Sequence, residues 1–178
     1  MRTELLADGH PWLRVADPAW SDPLDPGFAA RSGGRWNPPA SFPVLYLNED
    51  VVTARINLQL FLAAMPYGPE DLRADTGPVL VEALLPRAQR VADVHTPAGV
   101  RAAGLPASYP LDRRGRIVSH ERCRTVGVAA FEAGLRGVRC RSARATYGAG
   151  RELAWFPATT RSRARPRAVR RFDEWFWS

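Results

Sequence analysis

The 178-residue chain contains no lysine; all 25 of its basic side chains are arginine. So complete an exclusion reads as the compositional bias of a GC-rich genome more than as a binding strategy. Cysteine is scarce too. Cys123 and Cys140 match no metal-binding or redox spacing, so they read as reduced thiols of a cytoplasmic protein. The three histidines, His10, His95 and His120, form neither a catalytic triad nor a metal-ligand spacing. No apolar run reaches the roughly 18–20 residues of a membrane span. The opening stretch, MRTELLADGHPW, carries acids and no apolar h-region, which predicts neither a signal peptide nor an anchor. No internal repeat is present.

What remains is an ordinary globular composition, 46% hydrophobic and 24% charged, whose length suits one domain over residues 1–178. The formal net charge of +7 is unevenly spread. Residues 1–100 hold 8 Arg against 12 acids, whereas 101–178 hold 17 Arg against 6 acids. A basic half attracts anionic ligands or nucleic acid. Direct nucleic-acid binding is disfavoured, because the arginines have no interleaved aromatics until the chain's end and no helix-turn-helix or zinc spacing occurs.

Local patterns predict an α+β domain of short, mostly antiparallel strands with two or three helices. Strands are expected at 12–16, 42–47, 78–85, 89–94, 138–142 and 152–156. Asp50 offers an N-cap to a helix over 51–64 ended by Pro66. Pro97 opens a short helix at 96–103, and Ser119 caps another that runs to about 133. Residues 17–39, rich in Pro, Gly, Asp and Ser, read as a long ordered loop, a class that is usually functional. The strands at 138–142 and 152–156 face each other across a turn, TYGAG. Residues 159–178 read as an Arg-rich strand or tail, with the aromatics of FDEWFWS closing a core edge.

Three segments could carry chemistry. In RSGGRWNPPASFPVLY (31–46), Gly33 and Gly34 let the backbone turn or approach closely, and Pro38 and Pro39 stiffen the exit. Arg35 therefore sits on a rigid loop, suited to hold a phosphate or carboxylate. Equally, it could pair with an acid while Trp36 fills the core. On the following helix Asn57 interrupts an apolar stripe, so its amide either satisfies a backbone group or lines a site. Ser142 ends a strand before a turn. It is a turn residue or a site residue, with no nearby histidine to make it a nucleophile.

Taken together these segments resemble the RES domain family, named for Arg, Glu and Ser positions. GGRWNPP (33–39) followed by FPVLYL (42–47) is similar to the family's central motif, GVRCRSA (137–143) to its Ser-bearing strand, and ELAWFP (152–157) to the strand after it. Arg14 stands where the family carries an early Arg. The resemblance implies an ADP-ribosyltransferase-like fold and a bacterial toxin that consumes NAD⁺ without a metal. It also implies a partner, an Xre-type helix-turn-helix antitoxin; the oligomeric state is open, a homodimer included. It assigns Arg14 and Arg35 to the NAD⁺ diphosphate, Tyr46 to a stack on the nicotinamide or its ribose, and Ser142 to the nicotinamide–ribose region. The catalytic Glu of the pattern falls at position 57, which here is Asn57. A subgroup with altered chemistry, an inactivating substitution, or compensation by Glu49, Asp50, Glu121 or Glu152 would each account for that. A carboxylate restored at position 57 would then be expected to raise turnover.

Overall fold

The structure, a computed structural model, describes residues 1–145, 150–158 and 163–178. In chain order the elements are β1 (Thr3–Leu5), β2 (Pro11–Ala16), α1 (Gly27–Ser32), β3 (Leu45–Asn48), α2 (Val51–Leu62), β4 (Val79–Leu84), β5 (Arg90–Val94), α3 (Pro97–Ala102), α4 (His120–Glu132), β6 (Gly137–Arg141), β7 (Arg151–Trp155), β8 (Arg165–Arg170) and α5 (Phe172–Phe176). The strands form one mixed sheet in the order β1-β5-β6-β7-β3-β2-β4-β8. Every pairing is antiparallel except β5 with β6. The expected α+β class holds. The helix count was too low, because α1 and α5 are single short turns whose Pro/Gly-rich and aromatic sequences hide a helical period.

The capping chemistry explains the predicted helices. The Asp50 carboxylate accepts from the Thr53 N–H at 2.7 Å, and the Thr96 hydroxyl accepts from the Gly99 N–H at 3.0 Å. Ser119 caps α4, and Gly134, with φ of 74°, ends the chain segment that follows it. The TYGAG turn falls largely on residues 146–149, outside the described residues; β6 and β7 do pair antiparallel around it. β8 is an exposed, arginine-bearing edge strand, where charge discourages pairing with a further chain. Among the described residues, no helix is long and apolar enough to cross a membrane.

Alternation along β3 sets up the site. Leu45 and Leu47 face a core with Trp12, Val81, Leu153 and Trp155. Tyr46 and Asn48 face the opposite side, where α2 and α4 lie. There α2 packs through Ala54, Leu58 and Leu62 on Leu13, Leu80 and the α5 aromatics Phe172, Trp175 and Phe176. The C-terminal aromatics thus close that core, as their sequence predicts.

The join between the sheet's two halves is thin. β2 pairs with β4 at six positions and β3 with β7 at four, but β2 and β3 meet only at Leu13–Asn48. Beyond that pair the strands diverge and leave a cleft. The wall on the β3 side is buttressed by α4, whose Gly127 lies against the Trp36 backbone so closely that a Cβ would overlap the carbonyl. In an ordinary helix interior Gly→Ala gains about 1 kcal/mol. Gly127→Ala is expected instead to cost about 1–3 kcal/mol, the range for overpacking, in urea or thermal denaturation. A gain in stability would contradict this close approach.

Candidate functional site

The cleft opens into a cavity of about 630 Å³. Arg14 lines it from β2, Tyr46 and Asn48 from β3, and Asn57 from α2, with Trp20, Phe28 and Phe61 among the aromatics around them. Three of the expected site residues therefore share one space. Arg144, which the sequence reading did not single out, lines it as well and donates to the Asn57 carbonyl at 2.7 Å.

Among the described residues, Arg14 is a half-buried cation with no hydrogen-bond or ion-pair partner. Its guanidinium is half-buried, its Nε is shielded from solvent and makes no hydrogen bond, and among the described residues it has no ion pair. Its nearest defined contact is the Trp20 ring, 5.7 Å from Cζ. Burial pulls its pKa down, against the opposing fields of Asp25 and Asp22. A desolvated cation costs free energy until an anion meets it. This geometry fits a ligand phosphate or carboxylate in the cavity.

Tyr46 is locked from behind. Its hydroxyl donates to Asn37 Oδ1 at 2.9 Å and accepts from the Trp36 N–H at 2.9 Å. Burial pushes its pKa well up, so it stays a neutral ring. Asn37 is fully buried and donates to the Ala29 carbonyl at 2.7 Å, tying α1 to Tyr46. Gly34 lies against the Tyr46 ring with no room for a Cβ. The GGRWN motif is thus a cradle for the tyrosine, and Trp36 does fill the core at 1% exposure.

Arg35 is turned elsewhere. It does not line the cavity; its guanidinium donates to the Val118 carbonyl at 2.8 Å and lies over the Tyr109 ring at 6.0 Å. It pins the motif loop to the segment before α4, pairing with a carbonyl rather than an acid.

Asn57 and Ser142 meet through a residue between them. Asn57 Nδ2 donates to Asn48 Oδ1 at 2.6 Å and to Glu152 Oε1 at 2.9 Å. Ser142, fully buried, donates to the same Glu152 oxygen at 2.6 Å. The Ser142 hydroxyl also accepts from the Arg144 and Ala145 N–H groups, so it is a turn residue and a bridge at once. Asn57 Oδ1 is buried without a partner. Of the four acids that could compensate at position 57, only Glu152 touches it. Glu49 pairs instead with Arg139 at 2.6 Å.

Two other features compete for attention. A hollow of about 790 Å³ is lined by Arg101, Arg113, Arg114, Arg116 and Arg122, but no aromatic or buried polar group faces it. Glu4, Asp93 and His95 place ligand-type atoms within 4.8 Å of one another. Arg139 and Arg2 already neutralise the two carboxylates, at 3.1 and 3.3 Å.

The split mixed sheet thus sets a half-buried arginine, without an ion pair among the described residues, over a cleft lined by aromatic and amide side chains. The RES domain model matches residues 9–176, and the chain belongs to that family. No curated protein sequence matches it. Among solved structures it is similar to the M. tuberculosis MbcT–MbcA toxin–antitoxin complex, with a TM-score of 0.74 and 23% identity over 99% of this chain and 92% of that one. The likeness establishes a shared fold with a protein of that complex.

An arginine kept for a ligand should be dispensable to the fold. Arg14→Met keeps the aliphatic stem and removes the uncompensated charge. It is expected to leave the ligand-free protein as stable or more stable, by up to about 1 kcal/mol. A loss of 2 kcal/mol or more, measured by chemical denaturation, would mean that Arg14 serves the fold.

Proposed function

We propose that this RES-domain protein is the NAD⁺-consuming toxin of a toxin–antitoxin pair and cleaves the bond between nicotinamide and ribose. The observation that carries the reading is Arg14, a desolvated cation with no hydrogen-bond or ion-pair partner among the described residues, facing a cavity that also holds an aromatic ring and a polar cluster. A dinucleotide supplies what each lacks. Its diphosphate satisfies Arg14, with Arg144 as a second cation; a ring stacks on Tyr46; a ribose hydroxyl meets the orphaned Asn57 oxygen.

Breaking the N-glycosidic bond develops positive charge on the ribose, so the site must hold the diphosphate rigidly and surround the sugar with fixed dipoles. Arg14 meets the first need, and Tyr46 gives the ring a fixed platform, because both its hydroxyl contacts are made to a buried loop. Ser142 acts on the sugar's surroundings through Glu152 rather than by direct contact. Arg35 serves as a positioning residue for that loop, not as a second phosphate grip. The partner in this reading is a helix-turn-helix antitoxin of the Xre type, and the pair works in the cytoplasm.

The test is incubation with NAD⁺, with and without inorganic phosphate, followed by product analysis. Free nicotinamide is expected, with ADP-ribose, its phosphorylated form or an ADP-ribosylated protein identifying the acceptor. Arg14→Ala should weaken NAD⁺ binding by about 2 kcal/mol, within the range for hydrogen bonds to charged groups. Binding without nicotinamide release would instead make the chain a nucleotide-binding protein, the reading that Asn57 favours. No binding at all would remove both.

A further inference from the structure

The resemblance leaves α2 without its carboxylate; Asp17 and Asp25 line the cavity on the Arg14 side, and Glu152 stands just behind its wall, touching Asn57, which lines it. We propose that Glu152 is the catalytic carboxylate of this site, contacting the ribose through its free oxygen while Ser142 and Asn57 hold the other; this rests on the NAD⁺ reading above.

The register places it. On β7, Glu152 lies opposite Asn48 of β3 and opposite Cys140 of β6, and Ala154 two residues on lies opposite Tyr46. Side chains two apart along a strand share a face. Glu152, Asn48 and Tyr46 therefore stand on one side of the sheet, and the last two line the cavity.

Its surroundings differ from those of the chain's other half-buried acids. The chain has 25 arginines, and Glu4, Glu49, Glu82 and Asp93 each pair with one. Glu152 is half-buried and, among the described residues, pairs with none. Oε1 accepts from two neutral donors, at 2.6 and 2.9 Å, and neither cancels its charge. Both donors are themselves held, Ser142 by two backbone N–H groups that it accepts from, and Asn57 by Asn48. Oε2 has no hydrogen-bond partner among the described residues. A carboxylate fixed through one oxygen and free at the other is preorganised for a cationic ligand.

The neighbour is acceptor-only, so it also dictates the residue at position 57. Asn57 must present its NH₂ to Glu152, and a glutamate at 57 would set two carboxylates at hydrogen-bonding distance. Two such groups cannot both ionise freely; one holds a proton. The contact between positions 57 and 152 accommodates one carboxylate, which this chain carries at 152.

The chemistry is electrostatic and balances without a further reagent. As the bond from C1′ to the nicotinamide nitrogen breaks, its electron pair goes to that nitrogen and discharges the pyridinium. Positive charge appears on C1′ and the ring oxygen, facing the Glu152 carboxylate, which takes no proton. Water or phosphate then bonds to C1′, and attacking water gives its extra proton to solvent.

The test measures nicotinamide release and, separately, binding of a non-hydrolysable carba-analogue of NAD⁺ by calorimetry. Glu152→Gln should lower kcat about 10²–10³-fold, as for loss of one preorganised group, with analogue affinity changed by less than about threefold. The exchange Asn57→Glu with Glu152→Gln restores one acid facing one amide. It should recover at least about tenfold in turnover over Glu152→Gln. Should Glu152→Gln fail to fold, the exchanged protein carries the test, with turnover expected within about a factor of ten of wild type. Asn57→Glu alone should not raise turnover. Wild-type rates in folded Glu152→Gln, an inactive folded exchange variant, or a tenfold gain from Asn57→Glu alone would each overturn the assignment and leave the NAD⁺ reading standing. Absence of nicotinamide release from the wild-type protein would end both.

Discussion

One backbone pairing, Leu13 with Asn48, joins the two halves of this sheet, and the site exists because there is only one. More pairs would zip β2 onto β3 and close the cleft. Asn48 reinforces the single contact, donating from its side chain to the Leu13 carbonyl at 3.2 Å. The same amide accepts from Asn57. The hinge of the sheet and the floor of the cavity are therefore one residue, and any change in how the halves meet alters the site directly.

Charge is distributed with the same logic. Several arginines elsewhere are tied into the structure. Arg139 spans Glu4 and Glu49, Arg141 caps the carbonyls of His95 and Tyr109, and Arg55 holds those of Trp175 and Ser178. At the split two half-buried charges are left without such ties. Arg14 and Glu152 are both half-buried and neither has an ion-pair partner among the described residues. They lie on strands that do not hydrogen-bond to each other. Each is a desolvation cost that folding alone does not recover, and the proposed dinucleotide would offset both.

The fold class and most elements were legible in the sequence because caps and strand periods are local. Asp50, Thr96 and Ser119 announce their helices within three residues. β1 escaped notice because three edge residues carry too little pattern, and α1 because its Pro- and Gly-rich surroundings read as loop. The site was legible in position and less so in role. GGRWN marks the right region, but Arg35 points to Val118 and the buried Asn37, never singled out, does the work of holding Tyr46. Glu152 could be named only as one acid among four. What selects it is the pairing of β7 with β3 and β6, a non-local register that brings residues 48, 57, 142 and 152 together.

The account stands or falls on where a dinucleotide lies. The direct measurement is a crystal structure of the wild-type protein with the carba-analogue of NAD⁺. The account predicts the diphosphate against Arg14 in the cleft between β2 and β3, and the nicotinamide-side ribose within hydrogen-bonding distance of Glu152. An analogue bound instead in the arginine-lined hollow around Arg101, Arg114 and Arg122, with the cleft empty, would contradict it.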